Sequence, residues 1–331
     1  MQRGRVQPPA RGDDPEVGRR DHASDGAPLA TVVIPTRNRP TLLLTALRSA
    51  LDQASVSVQV VVVDDGSSHG TAAAIRSLDD PRVQLLRHDI ARGVATARNV
   101  GASAAAGTWI GFLDDDDLWA PRKIVRQIEA ADAAGAAWVY AGVVEIDAEG
   151  QLLGGRPPPR PDAVLAQLRS RNVMPAGSSN VLVRADVFED CRGFDTALRH
   201  LADWDLWLRL TAHGAPACVG EPLVAYRLHG GQATLDPTGM LQEAEMLRRR
   251  HGADPNSIRR WMAWTSLREG NRRDAVAAYT RAAMSGDLPS LGRAAIAALH
   301  PRPTSTRRRT IDVDDRWVAS ARAWVDAAAD R

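Results

Sequence analysis

Three apolar, β-branched runs most constrain the fold: LATVVIPT (29–36), VQVVVVDDGSS (58–68) and TWIGFL (108–113). Each is too short for a helix and apolar on consecutive positions, so each reads as a strand buried on both faces, as in a parallel sheet. Between them lie segments of helical period. PTLLLTALRSALDQ carries Leu43, Leu44, Leu47 and Leu51 on one side, TAAAIRSLD is a second helix, and GVATARNVGASAAAG a third, rich in small residues and stopped by Gly107. RVQLLRHD supplies a further strand, and Pro121 and Gly135 bracket another helix. Strands alternating with helices at this spacing predict βαβ units, hence a Rossmann-like, mostly parallel α/β sheet with helices on both faces.

In such sheets ligands bind beyond the carboxyl ends of the strands. Two acidic groups fall there: Asp64 and Asp65 after the second apolar run, and Asp114, Asp115, Asp116 and Asp117 after TWIGFL. Four adjacent carboxylates near a sheet edge raise one another's pKa unless a cation compensates them. Hard oxygen ligands suit Mg²⁺ or Mn²⁺, completed by substrate phosphates. Asp64 and Asp65 can accept from a ribose or base, and Arg98 can meet phosphate oxygens through its planar fork. A solvated acidic loop, and an Arg98–Asp64 ion pair, are the plainer alternatives.

The absences narrow the ligand. The first turn, PTRNRPT, has no glycine and so lacks the G-x-G-x-x-G dinucleotide loop; no G-x-x-x-x-G-K-[ST] or H-E-x-x-H occurs either. The 42 Lys and Arg against 40 Asp and Glu give a formal charge of +2, which argues against a nucleic-acid binder. Cys191 and Cys218 have no zinc-like spacing and read as free thiols.

Residues 1 to about 28 are rich in Pro, Gly and charge, and read as a disordered leader. The α/β domain is expected over 29–238, with WVYAGVVEID as a strand pair, GGRPPPRPD as a loop, GSSNVLVRADVFEDCRGFD as strand then short helix, and ADWDLWLRLTAHG as a helix whose tryptophans serve the core. Residues 239–331 read as a helical, Arg- and Ala-rich region, in which WTSLREGNRRDAVAAYTRAAMSGD resembles one tetratricopeptide-like hairpin. No run approaches the roughly 20 apolar residues of a membrane span, so a cytoplasmic protein is expected. Near the end, Trp317, Ala321, Trp324 and Ala328 recur at helical spacing after three arginines. That helix either touches an anionic membrane from the cytoplasmic side or packs on its neighbours.

Five segments in order, TVVIPTRNRPTLLLTALRSALDQ, VVVDDGSS, GVATARNVGASAAAGTWIGFLDDDDLWAPRKI, GFDTALRHLADWDLWLRL and YRLHGG, resemble family 2 inverting glycosyltransferases of the GT-A fold over residues 29–235. The resemblance implies a sugar moved from a nucleotide-diphosphate donor, with UDP favoured, to a hydroxyl of a glycan or lipid-linked acceptor, assisted by Mn²⁺ or Mg²⁺. It implies that Thr36 touches the base, Asp65 hydrogen-bonds it, and Asp64 stands beside as a structural or ribose contact. Arg98 would lie near the diphosphate, Asp115 at the ribose, Asp116 on the metal, and Asp114 in support. Asp203 would be the catalytic base, and His229 would approach the metal or phosphates. Asp117 is expected to start the next helix. The chain departs from the family at Ala202, where an acid usually precedes the base, which leaves Asp205 as a fallback. It departs again at HDIAR, where an Asn is usual. A non-catalytic nucleotide-sugar or glycan-binding protein of the same fold is the alternative; a nucleotidyltransferase would need the glycine-rich loop that PTRNRPT lacks.

Overall fold

A computed structural model describes residues 27–228, 237–268, 270–299 and 315–329. The leader, His229 and the arginines at 307–309 lie outside the described residues. Strand β1 (Ala30–Thr36) is buried along its whole length, as its unbroken apolar run requires. Helix α1 (Pro40–Leu51) crosses to β2 (Val58–Asp65), α2 (Thr71–Arg76) to β3 (Val83–His88), and α3 (Val94–Ser103) to β4 (Trp109–Phe112). The four strands are parallel, in the order β3-β2-β1-β4. The small residues of α3 are explained by close approach: a Cβ at Gly101 would sit 2.3 Å from Val33 Cγ1 on the sheet.

The second half is built differently. After the two-residue β5 (Leu118–Trp119) come α4 (Lys123–Ala134), β6 (Trp138–Ile146), β7 (Leu152–Arg156), α5 (Pro161–Gln167), β8 (Leu182–Arg184), α6 (Ala185–Asp190), α7 (Ala202–Leu210) and β9 (Ala217–Arg227). The sheet continues β4-β8-β6-β9-β5, with β7 on β6. β8 is antiparallel to both β4 and β6, and β9 is parallel to β6. The sheet is therefore mixed, and its parallel block is the part that the apolar runs announced.

Two local expectations change. WVYAGVVEID is one nine-residue strand, because every residue from Trp138 to Ile146 is buried. Gly154, Gly155 and Arg156 belong to β7, and α5 begins at Pro161, where no helix was expected. Helix α7 turns Trp204 and Trp207 fully inward; Trp207 stacks on Trp138 at 6.4 Å between ring centroids, and Trp204 Nε1 donates to Leu168 O at 2.7 Å. Those tryptophans are core.

The C-terminal region is helical: α8 (Pro237–His251), α9 (Asn256–Arg268), α10 (Arg272–Met284), α11 (Pro289–Leu299) and α12 (Arg316–Ala329). Helices α9 to α11 share a small Ala-rich core around Tyr279. Helix α12 returns to the sheet: Val318, Ala321 and Val325 are fully buried against Leu118, Val144, Ile146 and Ala225, and Trp317 Nε1 donates to Gly220 O at 2.6 Å. Gly142 and Gly155 make room for the Trp317 ring, since a Cβ at either would lie within 2.6 Å of it. The apolar stripe offered to a membrane by the sequence is thus covered by the sheet, and burial in the core is the outcome for this helix. Among the described residues, no helix is long and apolar enough to cross a membrane. Cys191 and Cys218 are free.

Candidate functional site

Because β1 lies between β2 and β4, their carboxyl ends bring Thr36, Asp64, Asp65 and the four aspartates to one edge of the sheet. The loops that follow are stitched together. Asn38, at φ +57°, accepts from Ser68 N at 2.9 Å, while its own N–H donates to Ser67 Oγ at 2.8 Å. Ser67 N in turn donates to Asp64 Oδ1 at 2.9 Å, while Asp64 Oδ2 is buried without a hydrogen-bond partner. Gly66 is required here: at φ +73°, a Cβ would lie 2.6 Å from Ala91 N.

The aspartates divide by partner. Asp114 is paired with Arg98, whose guanidinium also lies 5.3 Å from the Phe194 ring centroid. Asp115 accepts from Thr36 Oγ1 at 2.7 Å and from Arg39 Nη1 at 3.2 Å, and the same Nη1 lies 2.7 Å from Asp116 Oδ2. Even so, burial and the adjacent Asp116 push the Asp115 carboxyl up to about 6, against the pull of Thr36 and Arg39. Asp117 does not start a helix. It is fully buried, accepts the Arg227 N–H at 3.0 Å, and leads into β5; α4 begins only at Lys123. Burial, then Asp116 and Asp114, push its carboxyl far above the ordinary range. The Arg227 guanidinium holds the loop from below through Asp116 O, Asp147 O and Ala148 O at 2.9–3.1 Å.

Arg39 is the cation that the sequence reading missed. It stands in PTRNRPT, 76 residues before Asp115, and its only signal was a basic residue just past the carboxyl end of β1. Which strand neighbours β1 had to be known before that signal meant anything.

Asp65 is also more committed than expected. Oδ1 meets His88 Nδ1 at 2.7 Å and Arg92 N at 2.8 Å, and Oδ2 accepts from Gly93 N at 2.9 Å. Burial would raise this carboxyl, but those donors, Arg92 N first, hold it below the usual range. A carboxylate has about four acceptor positions, so one on Oδ2 remains for a ligand. The HDIAR segment thus contributes His88 and two backbone N–H groups to shaping the loop.

Asp203 sits at the start of α7, partly exposed, with Oδ1 accepting from Trp204 N at 2.7 Å and Oδ2 from Asn172 Nδ2 at 3.3 Å. Burial raises its pKa, opposed by the Trp204 N–H and by the charge of Arg98, so it feels the Arg98–Asp114 pair across the cleft. Gly177 faces it, and a Cβ there would stand 2.9 Å from Asp203 Oδ2. Asp205 points elsewhere: 2% exposed, it is bound by Arg209 Nη2 at 2.6 Å and His251 Nε2 at 2.8 Å, tying α7 to α8. It is not available as a fallback base.

Among the described residues, no three His, Cys, Asp or Glu side chains converge as a ready metal cage. The donor set still fits a hard divalent cation of the kind that takes one or two protein carboxylates and completes its shell with phosphate oxygens. Burial first, and then the adjacent Asp116, raise the Asp115 carboxyl, and a divalent cation there would oppose both effects.

A mixed sheet with acids at the carboxyl edge of its parallel block, flanked by helices, is the architecture of the GT-A fold. Residues 31–192 match the family model for Glycosyl transferase family 2, and this domain belongs to that family. The chain is 36% identical over 221 residues to the succinoglycan biosynthesis protein ExoO of Rhizobium meliloti, covering 62% of each chain. It therefore spans less than two-thirds of that relative's length. The mannosyltransferase PcManGT of Pyrobaculum calidifontis, solved with GDP-Man and Mn²⁺, superposes with a TM-score of 0.54 at 22% identity, over 92% of this chain and 86% of that one. S. aureus TarS 1–349 with UDP-GlcNAc gives 0.54 at 15% identity, over 81% and 87%. At these identities the structural matches speak for the fold.

Proposed function

We propose that this chain is an inverting glycosyltransferase that moves a sugar from a nucleotide-diphosphate donor, UDP-linked in the favoured case, to a hydroxyl of a glycan or lipid-linked acceptor in polysaccharide assembly. The observation that carries the proposal is the cleft itself. Asp65, Asp115 and Asp116 stand at or just past the carboxyl ends of the neighbouring strands β2 and β4, Arg98 reaches Asp114 from α3, and Asp203 is close enough to sense the Arg98–Asp114 pair. The domain family and the succinoglycan relative support the reaction class, and the TarS and PcManGT complexes support a nucleotide-sugar donor.

In this reading the free acceptor position of Asp65 takes the base, with Thr36 beside it, and Asp64 helps to hold the ribose side. Asp115 accepts from the ribose. Asp116 holds a divalent cation, with His229, which lies outside the described residues, as the second candidate ligand. The cation, when bound, stabilises negative charge on the leaving diphosphate. Arg98 adds a fixed positive charge beside the phosphates, held by Asp114 and Phe194. Asp203 removes the proton from the acceptor hydroxyl as that oxygen attacks the anomeric carbon in line, so the configuration inverts. Its upward-shifted carboxyl is a stronger base than an ordinary aspartate, and the Asn172 N–H orients the oxygen.

The test is a thermal-shift screen of UDP- and GDP-sugars with and without Mn²⁺, followed by transfer assays with the donors that stabilise the protein. Metal-dependent stabilisation by one nucleotide class, followed by transfer, is the expected result. Stabilisation without transfer or donor hydrolysis across a broad acceptor panel would mark a binding protein. No stabilisation by any donor would end the proposal.

A further inference from the structure

Five of the nine large apolar residues that stand exposed among the described residues fall in one stretch of the C-terminal region: Met284 (82% exposed), Leu288 (74%), Leu291 (62%), Ile296 (53%) and Leu299 (80%). Helix α11 is the reason. It presents Ser290, Ala294 and Ala297 to the α9–α10 hairpin, so its small residues face inward. Leu291, Ile296 and Leu299 are left on the outside, the reverse of an ordinary surface helix. Leu288, Leu291, Ala295 and Leu299 follow one another at helical spacing along a ridge, and Met284 adds to it from the end of α10. Scattered exposed leucines need no explanation, but a contiguous set of this size marks a contact surface.

The charge around the ridge indicates its occupant. Residues 256–299 hold seven arginines against three acids, Glu269, Asp274 and Asp287. Asp287 is engaged internally, by Arg260 Nη1 at 2.9 Å and by Ser290 Oγ at 2.5 Å, and Asp274 accepts from Asn271. Arg273 and Arg281 are exposed on α10, and Arg293, exposed on α11, lies 3.6 Å from Asp287 and donates to Ser290 Oγ at 3.3 Å. An exposed apolar ridge with more arginines than acids around it matches an anionic bilayer surface. We propose that the α10–α11 end of the chain docks on an anionic lipid surface, inserting Leu288, Leu291 and Leu299 shallowly while the neighbouring arginines meet lipid phosphates. This is a different surface from α12, whose apolar stripe the sheet covers, and the proposal does not depend on which donor the cleft takes.

The test is co-sedimentation of the full chain with vesicles of phosphatidylcholine alone and of phosphatidylcholine with phosphatidylglycerol. Binding is expected to the phosphatidylglycerol vesicles, weakened by high salt as charges are screened. Leu291→Glu with Leu299→Glu should cut the bound fraction by about tenfold or more, since each replaces inserted apolar surface with a carboxylate. Arg273→Gln with Arg281→Gln, which leaves the ridge intact, should remove the preference for the anionic vesicles. Both substitutions are exposed, and an unchanged melting temperature verifies the fold. Equal binding by wild type and both variants, or no binding to either vesicle, overturns the proposal. So does a wild-type dimer in analytical ultracentrifugation that Leu291→Glu with Leu299→Glu dissociates, because the ridge would then be an interface between copies.

Discussion

Replacing Arg39 by Gln tests whether this arginine stands in for the cation that the acidic loop requires. Its Nη1 lies 3.2 Å from Asp115 and 2.7 Å from Asp116; the arginine side chain is one-third exposed, while the two carboxylates are 8% and 14% exposed. An exposed ion pair is worth ~0.5 kcal/mol and breaking a buried one costs ~3–5 kcal/mol, so a pair of intermediate burial is worth ~2 kcal/mol. For a domain of this size that corresponds to a fall of about 4–8 °C in the Tm of the metal-free protein. Metal binding should move the other way. In the proposed reading an incoming Mn²⁺ competes with the Arg39 guanidinium; in Arg39→Gln it meets carboxylates that have lost that positive partner, so its affinity in the presence of nucleoside diphosphate should rise, by up to about thirtyfold. Isothermal titration with Mn²⁺ at pH 8, above the wild-type Asp115 value of about 6, reads this directly. An unchanged Tm, or weaker Mn²⁺ binding in the variant, would refute the stand-in role. Wild-type protein that binds neither Mn²⁺ nor donor would instead refute the metal-dependent reading of the whole cleft.

Three further outcomes follow from the geometry. Because burial and Asp116 hold Asp115 near 6 rather than 3.8, its protonated form favours the folded state. That contribution, ~3 kcal/mol, is fully present below about pH 4 and lost as pH rises through about 6; Mn²⁺ affinity, which needs the carboxylate, should climb over the same window when titrated from pH 5 to 8. Asp203→Asn should lower transfer by about a hundredfold or more while donor affinity stays within about twofold; full transfer would remove Asp203 as the base. Asp205→Asn leaves Arg209 and His251 with a poorer partner in a buried setting and should cost ~2–3 kcal/mol of stability by denaturant titration, with donor affinity unchanged. Loss of transfer without loss of stability would return Asp205 to the chemistry.

The apolar runs around Val33, Val61 and Ile110 determined by themselves that this chain makes strands buried on both faces, since no other element hides consecutive branched residues of that length. The motifs placed the two acidic groups at one edge of the sheet, because the carboxyl end of a parallel strand is a property of its sequence direction. Other features were invisible at that level. WVYAGVVEID and β7 depend on pairing and burial supplied by β8, β9 and α12, from elsewhere in the chain, so local pattern could not distinguish a strand pair from one long strand. Asp205 looked equivalent to Asp203 until α8 brought His251 against it, and the stripe on α12 looked like an anchor until the sheet covered it. The four aspartates show the division most clearly. Their charge implied a compensating cation, which is electrostatics and legible in the letters. That Arg39 supplies part of it, that Thr36 restrains Asp115, and that Asp117 buttresses β5 instead of opening a helix depended on β1 lying beside β4 and on Arg227 at the end of β9. Strand order is set by how whole layers pack, and only the tertiary structure decides it.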